Sequence, residues 1–289
     1  MLNADRARYF APDTQMTDPE GPIDADHFAS RFIPEEDRKP ARYGARSGGT
    51  GMSRHDPEAP LRLATWNIHA CVGRGGAFRP QRTARVLCEL AGDVLALQEV
   101  EHHSVDGLDL LDYFSSRTGL TGIAGPTLRR GARHYGNALL TRLPVLDVTR
   151  VDLSIEGREP RGALDVLLGW QSRRLQVIAT HLGLSPIERR RQVRRLLARV
   201  ETRRADVVVL MGDLNEWLLW GRPLRWLRGH FPPSPQPRTW PASAPLFALD
   251  RIWARPEPPL HLDTHRSPLA RIGSDHLPLK ADLLPPAGC

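Results

Sequence analysis

The 289-residue chain predicts a mixed-sheet α/β fold, on two observations. Short runs rich in Val, Ile and Leu, bounded by turn residues, recur from residue 61 onward, as buried strands do. Only two or three helical patterns lie among them, too few for the strict alternation of a barrel or a doubly wound sheet. Strands are expected over residues 61–68, 94–98, 138–140, 163–168, 175–180, 207–211, 249–253 and 277–283. Residues 79–90 place Val86, Leu87 and Leu90 on one helical face, and residues 187–203 do so with Val193, Leu196, Leu197 and Val200.

Residues 1–60 read differently. They are rich in Pro, Gly and Asp, carry 8 basic and 11 acidic residues, and lack a sustained apolar period. A poorly ordered tail is expected there, with one short helix around 25–32 and a flexible Ser47–Met52 joint, leaving residues 61–289 as the working domain. That domain holds 32 basic against 22 acidic residues, so the chain's +7 hides a domain at +10. Lys39 and Lys280 are the only lysines. Arginine's planar fork suits phosphate, so an anionic partner is expected. No apolar run is long enough to span a bilayer, and the N-terminus lacks a signal-type apolar core. Cys71, Cys88 and Cys289 form neither a disulfide framework nor a metal spacing, which makes a reducing cytoplasm the expected compartment.

Chemistry-bearing residues sit where the strands end. Asn67 lies in an otherwise apolar run, where Asn is depleted and needs a partner. Glu99 follows the apolar 94–98 run, and a carboxylate so near a core is costly unless paired or metal-bound. His181 precedes a glycine turn; Asp213 and Asn215 leave the next strand after Gly212; Asp250 lies within a strand-like run; Asp275 and His276 precede the last strand. Each alone reads more readily as a satisfied structural residue. Together they supply oxygen ligands for a hard cation, a group to deprotonate water and donors for a phosphorane-like oxyanion. Cys and His are too scarce in metal-type pairs for zinc, so Mg²⁺ or Mn²⁺ is expected.

The blocks TWNIH, LALQEV, YGNALLTRLP, THLGL, GDLNEW, LDRIW and SDHLPL, in this order, resemble the endonuclease/exonuclease/phosphatase (DNase I-like) superfamily, in a small bacterial form. The resemblance implies a four-layer α/β sandwich, two mixed sheets face to face with helices outside. It implies Asn67 and Glu99 as principal Mg²⁺ ligands, with Asp275 near a second cation position. Asp213 would position or deprotonate water, Asn215 would hold a phosphate oxygen, and His181 would stabilise the transition state. His276 would act as acid or base, oriented by Asp250, with Asn137 and Arg161 lining the site. Where many members have His after the Asp of LDRIW, Arg251 stands here, a flanking change.

The reaction so implied is hydrolysis of a nucleic-acid or phospholipid phosphodiester by a monomeric enzyme. Two alternatives stay open: a phosphomonoesterase of inositol-phosphate type, and a non-catalytic Arg-rich polyanion binder. Arg189, Arg190, Arg191, Arg194, Arg195, Arg199, Arg203 and Arg204 are expected on the solvated face of an outer helix. Trp217, Trp220, Trp226 and Trp240 would suit a lipid interface or base stacking, but a short helix packing them onto the sandwich is the expected arrangement, with peripheral membrane contact the alternative.

Overall fold

A computed structural model describes residues 59–130, 133–202 and 204–284. The tail expected at 1–60, with its helix around 25–32, thus lies almost wholly outside the described residues, as do Arg203 and Cys289.

Period-two burial organises the strands. In β1 (Leu61–Asn67), Leu61 and Leu63 enter one core while Ala64 and Trp66 enter another. β1 pairs antiparallel with β13 (Leu279–Leu283) and parallel with β2 (Val94–Glu101). With β5 (Thr121–Arg130), β6 (Arg133–Thr141) and β12 (His261–Thr264), these form a six-stranded mixed sheet ordered β12-β13-β1-β2-β6-β5. The second sheet is ordered β11-β10-β9-β8-β7, from β7 (Val145–Asp152), β8 (Gly162–Trp170), β9 (Arg173–His181), β10 (Val207–Asp213) and β11 (Asp250–Arg255). A hairpin of β3 (Ser104–Val105) and β4 (Leu108–Asp109) stands apart.

Three cores define four layers. Between the sheets lie Leu63, Val94, Leu139, Val166, Val177, Val209 and Leu279, each fully or almost fully buried. Each such side chain contributes roughly 1.5–3 kcal/mol. Outside the first sheet pack α1 (Pro80–Leu90) and α2 (Leu110–Thr118), through Val86, Leu87, Leu110 and Phe114. Outside the second pack α3 (Pro186–Thr202) and α4 (Arg222–Arg228), through Val193, Leu196, Leu224 and Leu227. A single turn, α5 (Ala270–Gly273), precedes β13. No helix among the described residues is long and apolar enough to cross a membrane.

The sandwich and all eight expected strands are present, with ends shifted by one or two residues or more. The additional strands have physical reasons for being unreadable. β7 carries no clean alternation, being an edge strand with both faces half-wet. β5 contains Gly122, Gly125 and Pro126, which an edge position tolerates. α2 is short and polar, and starts because the Asp109 carboxylate accepts from the Leu111 N–H at 2.9 Å.

Gly212 shows how tightly the second sheet is drawn at its end. Its φ of 143° and pairing with Thr180 would put an added Cβ only 1.9 Å from the Thr180 carbonyl oxygen. Gly212→Ala is expected to cost about 2 kcal/mol or more, a melting temperature lower by roughly 4–8 °C. Thermal unfolding with no measurable shift would show that this strand end gives way freely.

Candidate active site

The site is the polar continuation of the inter-sheet core. Along β1 the inward positions run Leu61, Leu63, Thr65, Asn67; along β9 Leu175, Val177, Ala179, His181; along β10 Val207, Val209, Met211, Asp213. β11 brings Asp250 in register with Asp213, and β6 brings Asn137 one step beyond Leu139. Each strand stays apolar inward until its end, then turns polar. Glu99 breaks the parity, since Val94 and Ala96 face inward on β2 and Glu99 is odd-numbered. A register shift between Leu97 and Val100, with φ +57° at Glu99, rotates its carboxylate back toward the Asn67 amide.

Asp213 is the hub. Its Oδ2 accepts from Asn67 Nδ2 at 3.1 Å and lies 3.4 Å from His181 Nε2 and 3.7 Å from His276 Nε2, while Oδ1 accepts from the Asn215 N–H at 2.9 Å. Burial raises its carboxyl to about 6 against the pull of His276. His276 Nδ1 lies 2.9 Å from Asp250 Oδ2, which also accepts from the Thr239 hydroxyl. Burial alone would lower the His276 imidazole, but Asp250, Asp213 and Asp275 outweigh it and raise it to about 10. At neutral pH His276 is therefore an imidazolium, donating through Nδ1 to Asp250 and holding a proton at Nε2 toward the Asp213 side.

His181 has the opposite tautomeric logic. Arg161 Nη1, always a donor, meets its Nδ1 at 2.8 Å, so that nitrogen accepts and the ring proton lies on Nε2, toward Asp213. Arg161 Nη2 also donates to Glu159 at 2.8 Å. Asn137 Nδ2 donates across the sandwich to the Gly162 carbonyl at 2.9 Å, and Glu99, Asn137, Arg161 and His181 border one narrow cleft. A larger hollow by α1, lined by Arg85, Cys88 and Glu89, contains none of these groups.

The oxygen donors expected to hold a cation fall into two parts. Asn67 Nδ2 donates to Glu99 Oε1 at 3.0 Å, while its Oδ1 accepts from the His69 N–H. Asp275, half-exposed, joins through Ser274, whose hydroxyl donates to the Asn67 carbonyl at 2.7 Å and accepts from the His276 N–H at 3.2 Å. Glu99, Asp213, Asp250 and Asp275 thus supply four carboxylates against three cations, His276, Arg161 and the buried Arg251. An all-oxygen donor set with excess negative charge fits a hard divalent ion. Oxygen and nitrogen atoms of Asp213, Asp250 and His276 also lie within 4.8 Å of one another, so this trio is a second place where a cation could be held; Asp250 meets His276 and Thr239 through Oδ2, while its buried Oδ1 has no hydrogen-bond partner.

Several contributors were not singled out from sequence. Thr239 reaches Asp250 from a Pro-rich loop without any sequence signal, and Ser274 was visible only as part of SDHLPL. His69, Ala70 and Cys71, directly after Asn67, all take φ between 47° and 61°, a left-handed turn costly for non-glycine residues and held down by fully buried Cys71. Burial pushes that thiol up to about 12, so it is inert.

Two expectations need correction. Arg189 is not on a solvated face: it is buried, with Nε 3.1 Å from Glu216 Oε2. Arg199 is partly covered and pairs with buried Asp165 at 2.6 Å, whereas Arg191, Arg194, Arg195 and Arg204 are exposed as expected, Arg194 lying over the Trp226 ring at 4.8 Å. Nor does a helix pack the tryptophans onto the sandwich. Only Trp226 lies on α4, while Trp217 and Trp220 stand exposed on the preceding loop. Arg251 flanks the site as expected but is buried, with Nη1 donating to the Asp250 carbonyl at 3.0 Å, and burial lowers it to about 10, still cationic at neutral pH.

A sandwich whose opposed sheets end in one polar cluster is an architecture shared with known proteins. The model of the Endonuclease/Exonuclease/phosphatase family matches residues 64–276, and the chain belongs to that family of hydrolases. Uncharacterized protein YbhP of Escherichia coli is 32% identical over 167 residues, 52% of this chain and 63% of that protein, so the chain spans less than two thirds of that relative. A crystal structure of an endonuclease/exonuclease/phosphatase from Beutenbergia cavernae has a TM-score of 0.62 at 23% identity, covering 78% of this chain and 72% of the other. The mannosyl-6-phosphatase of Bacteroides thetaiotaomicron has the same TM-score at 14% identity, covering 76% and 98%.

Proposed function

We propose that the chain hydrolyses a phosphodiester with the help of a divalent cation, Mg²⁺ or Mn²⁺. One observation carries this reading: a buried carboxylate, Asp213, lies between two histidines, His181 and His276, whose Nε2 atoms both approach it. Asp213, ionised above about pH 6, takes the proton of the attacking water. His181 Nε2–H, fixed by Arg161, donates to the developing oxyanion. His276 holds its proton at Nε2 for a phosphoryl or leaving oxygen, with Asp250 and Thr239 maintaining that charge. Asn215 has committed one amide proton to the Leu182 carbonyl and has a second for a phosphate oxygen. Glu99, Asn67 and Asp275 are the residues that would hold the cation, which when bound offsets phosphoryl charge and favours hydroxide over water. A non-catalytic polyanion binder working through the helix arginines leaves the buried cluster around Asp213 unexplained, although Arg191, Arg194, Arg195 and Arg204 are exposed.

The pH dependence has a definite sign. A base raised to about 6 makes kcat/KM rise with pH up to that point, and an acid at about 10 makes it fall beyond. A pH–rate profile on bis-p-nitrophenyl phosphate should therefore be bell-shaped, its acid limb at or below about 6 when the cation is bound. A rate that climbs steadily through pH 10 would mean that His276 works as the neutral base and would reverse the roles.

A further inference from the structure

Exposed apolar residues border the catalytic pole. Beside the polar cluster, the loop after β10 exposes Trp217, Leu218, Leu219 and Trp220 in succession, with 36, 49, 46 and 70% of their surfaces in solvent. Leu184, in the loop after β9, and Leu246, in the loop before β11, are 48 and 60% exposed. These three loops leave the strand ends that carry His181, Asp213 and Asp250. They are tied together and to the site. Arg189 pairs with Glu216 and also donates to the Leu184 carbonyl, joining the first two loops. Trp217 packs edge-on against Trp240 and Phe247, at 5.2 and 4.9 Å between centroids, and Trp240 Nε1 donates to Asp275. The rim is thus fixed relative to the chemistry.

Charge selects its occupant. Residues 217–249 contain four arginines, Arg222, Arg225, Arg228 and Arg238, and no acidic residue. All four are exposed. An acid-free apolar crest flanked by guanidiniums matches an anionic lipid surface, with Trp and Leu in the head-group layer and arginines on lipid phosphates. Base stacking fits less well. Trp217 is turned against Trp240 and Phe247 at 76° and 67°, which leaves Trp220 as the crest's one outlying ring among the aliphatic Leu184, Leu218, Leu219 and Leu246.

We propose that this rim seats the catalytic pole on an anionic phospholipid surface, so that the phosphodiester reached is that of a lipid head group; the second half rests on the hydrolase reading above. The test is co-sedimentation of the full chain with phosphatidylcholine vesicles, with and without phosphatidylglycerol, beside binding to oligothymidylate and sedimentation velocity. Binding to phosphatidylglycerol vesicles is expected, weakened roughly tenfold or more by Trp220→Ser with Leu219→Ser. Arg222→Glu with Arg225→Glu should weaken it too, by removing the attraction and leaving the crest intact. Undiminished vesicle binding in both variants overturns the proposal. So does oligothymidylate binding without vesicle binding, or self-association abolished by Trp220→Ser with no vesicle binding. Wild-type turnover of soluble bis-p-nitrophenyl phosphate separates the two readings. Turnover without vesicle binding sinks the rim alone, and vesicle binding without turnover sinks the hydrolase.

Discussion

Asp213→Asn is expected to lower kcat on a phosphodiester by about 10²–10⁴-fold with the chain still folded. The replacement keeps the shape of the side chain and can still accept from the Asn215 N–H, but it cannot take a proton from water. It also brings a second amide against Asn67 Nδ2, so thermal unfolding should accompany the kinetics. A loss of less than about tenfold would place the base elsewhere. Asp250→Asn is its informative partner. Without that carboxylate His276 loses its foremost positive influence, so the alkaline limb of the pH profile should slide down from about 10 toward neutrality. An unmoved limb would mean that His276 does not set it.

The second large effect is on stability. Glu216→Ala leaves Arg189 buried, with its charge uncompensated, beneath the loop that carries Trp217 and Trp220. Breaking a buried pair from one side costs about 3–5 kcal/mol, here a fall in melting temperature of roughly 10 °C. Glu216→Leu with Arg189→Met removes both charges and should recover most of that loss. If the double replacement is as unstable as the single, the pair holds the loop by shape and not by charge.

How legible these features were in the sequence follows from period two. Leu175, Val177 and Ala179 followed by His181, and Val207, Val209 and Met211 followed by Asp213, show in the bare sequence that an inward face turns polar at the strand end. What alternation could not show was Glu99, whose parity is wrong until the bulge corrects it, because a left-handed glutamate leaves no compositional trace. Thr239 and the Arg161–His181 bond were equally hidden, being contacts between segments distant in sequence. Arg189 was misplaced for a related reason. Helical phase puts it near the polar stripe, and the buried Glu216, 27 residues on, together with the Leu184 carbonyl, holds it inward. The exposed tryptophans were misjudged because composition cannot distinguish a crest from a core.

The measurement that bears most directly on the central claim is hydrolysis of bis-p-nitrophenyl phosphate by the wild-type chain, in Mg²⁺ and then in EDTA, beside His276→Ala. The site described here predicts turnover in Mg²⁺, its loss in EDTA, its return when Mg²⁺ is restored, and a His276→Ala enzyme slower by about 10²–10⁴-fold. Turnover that persists in EDTA, or that His276→Ala leaves unchanged, would contradict the account.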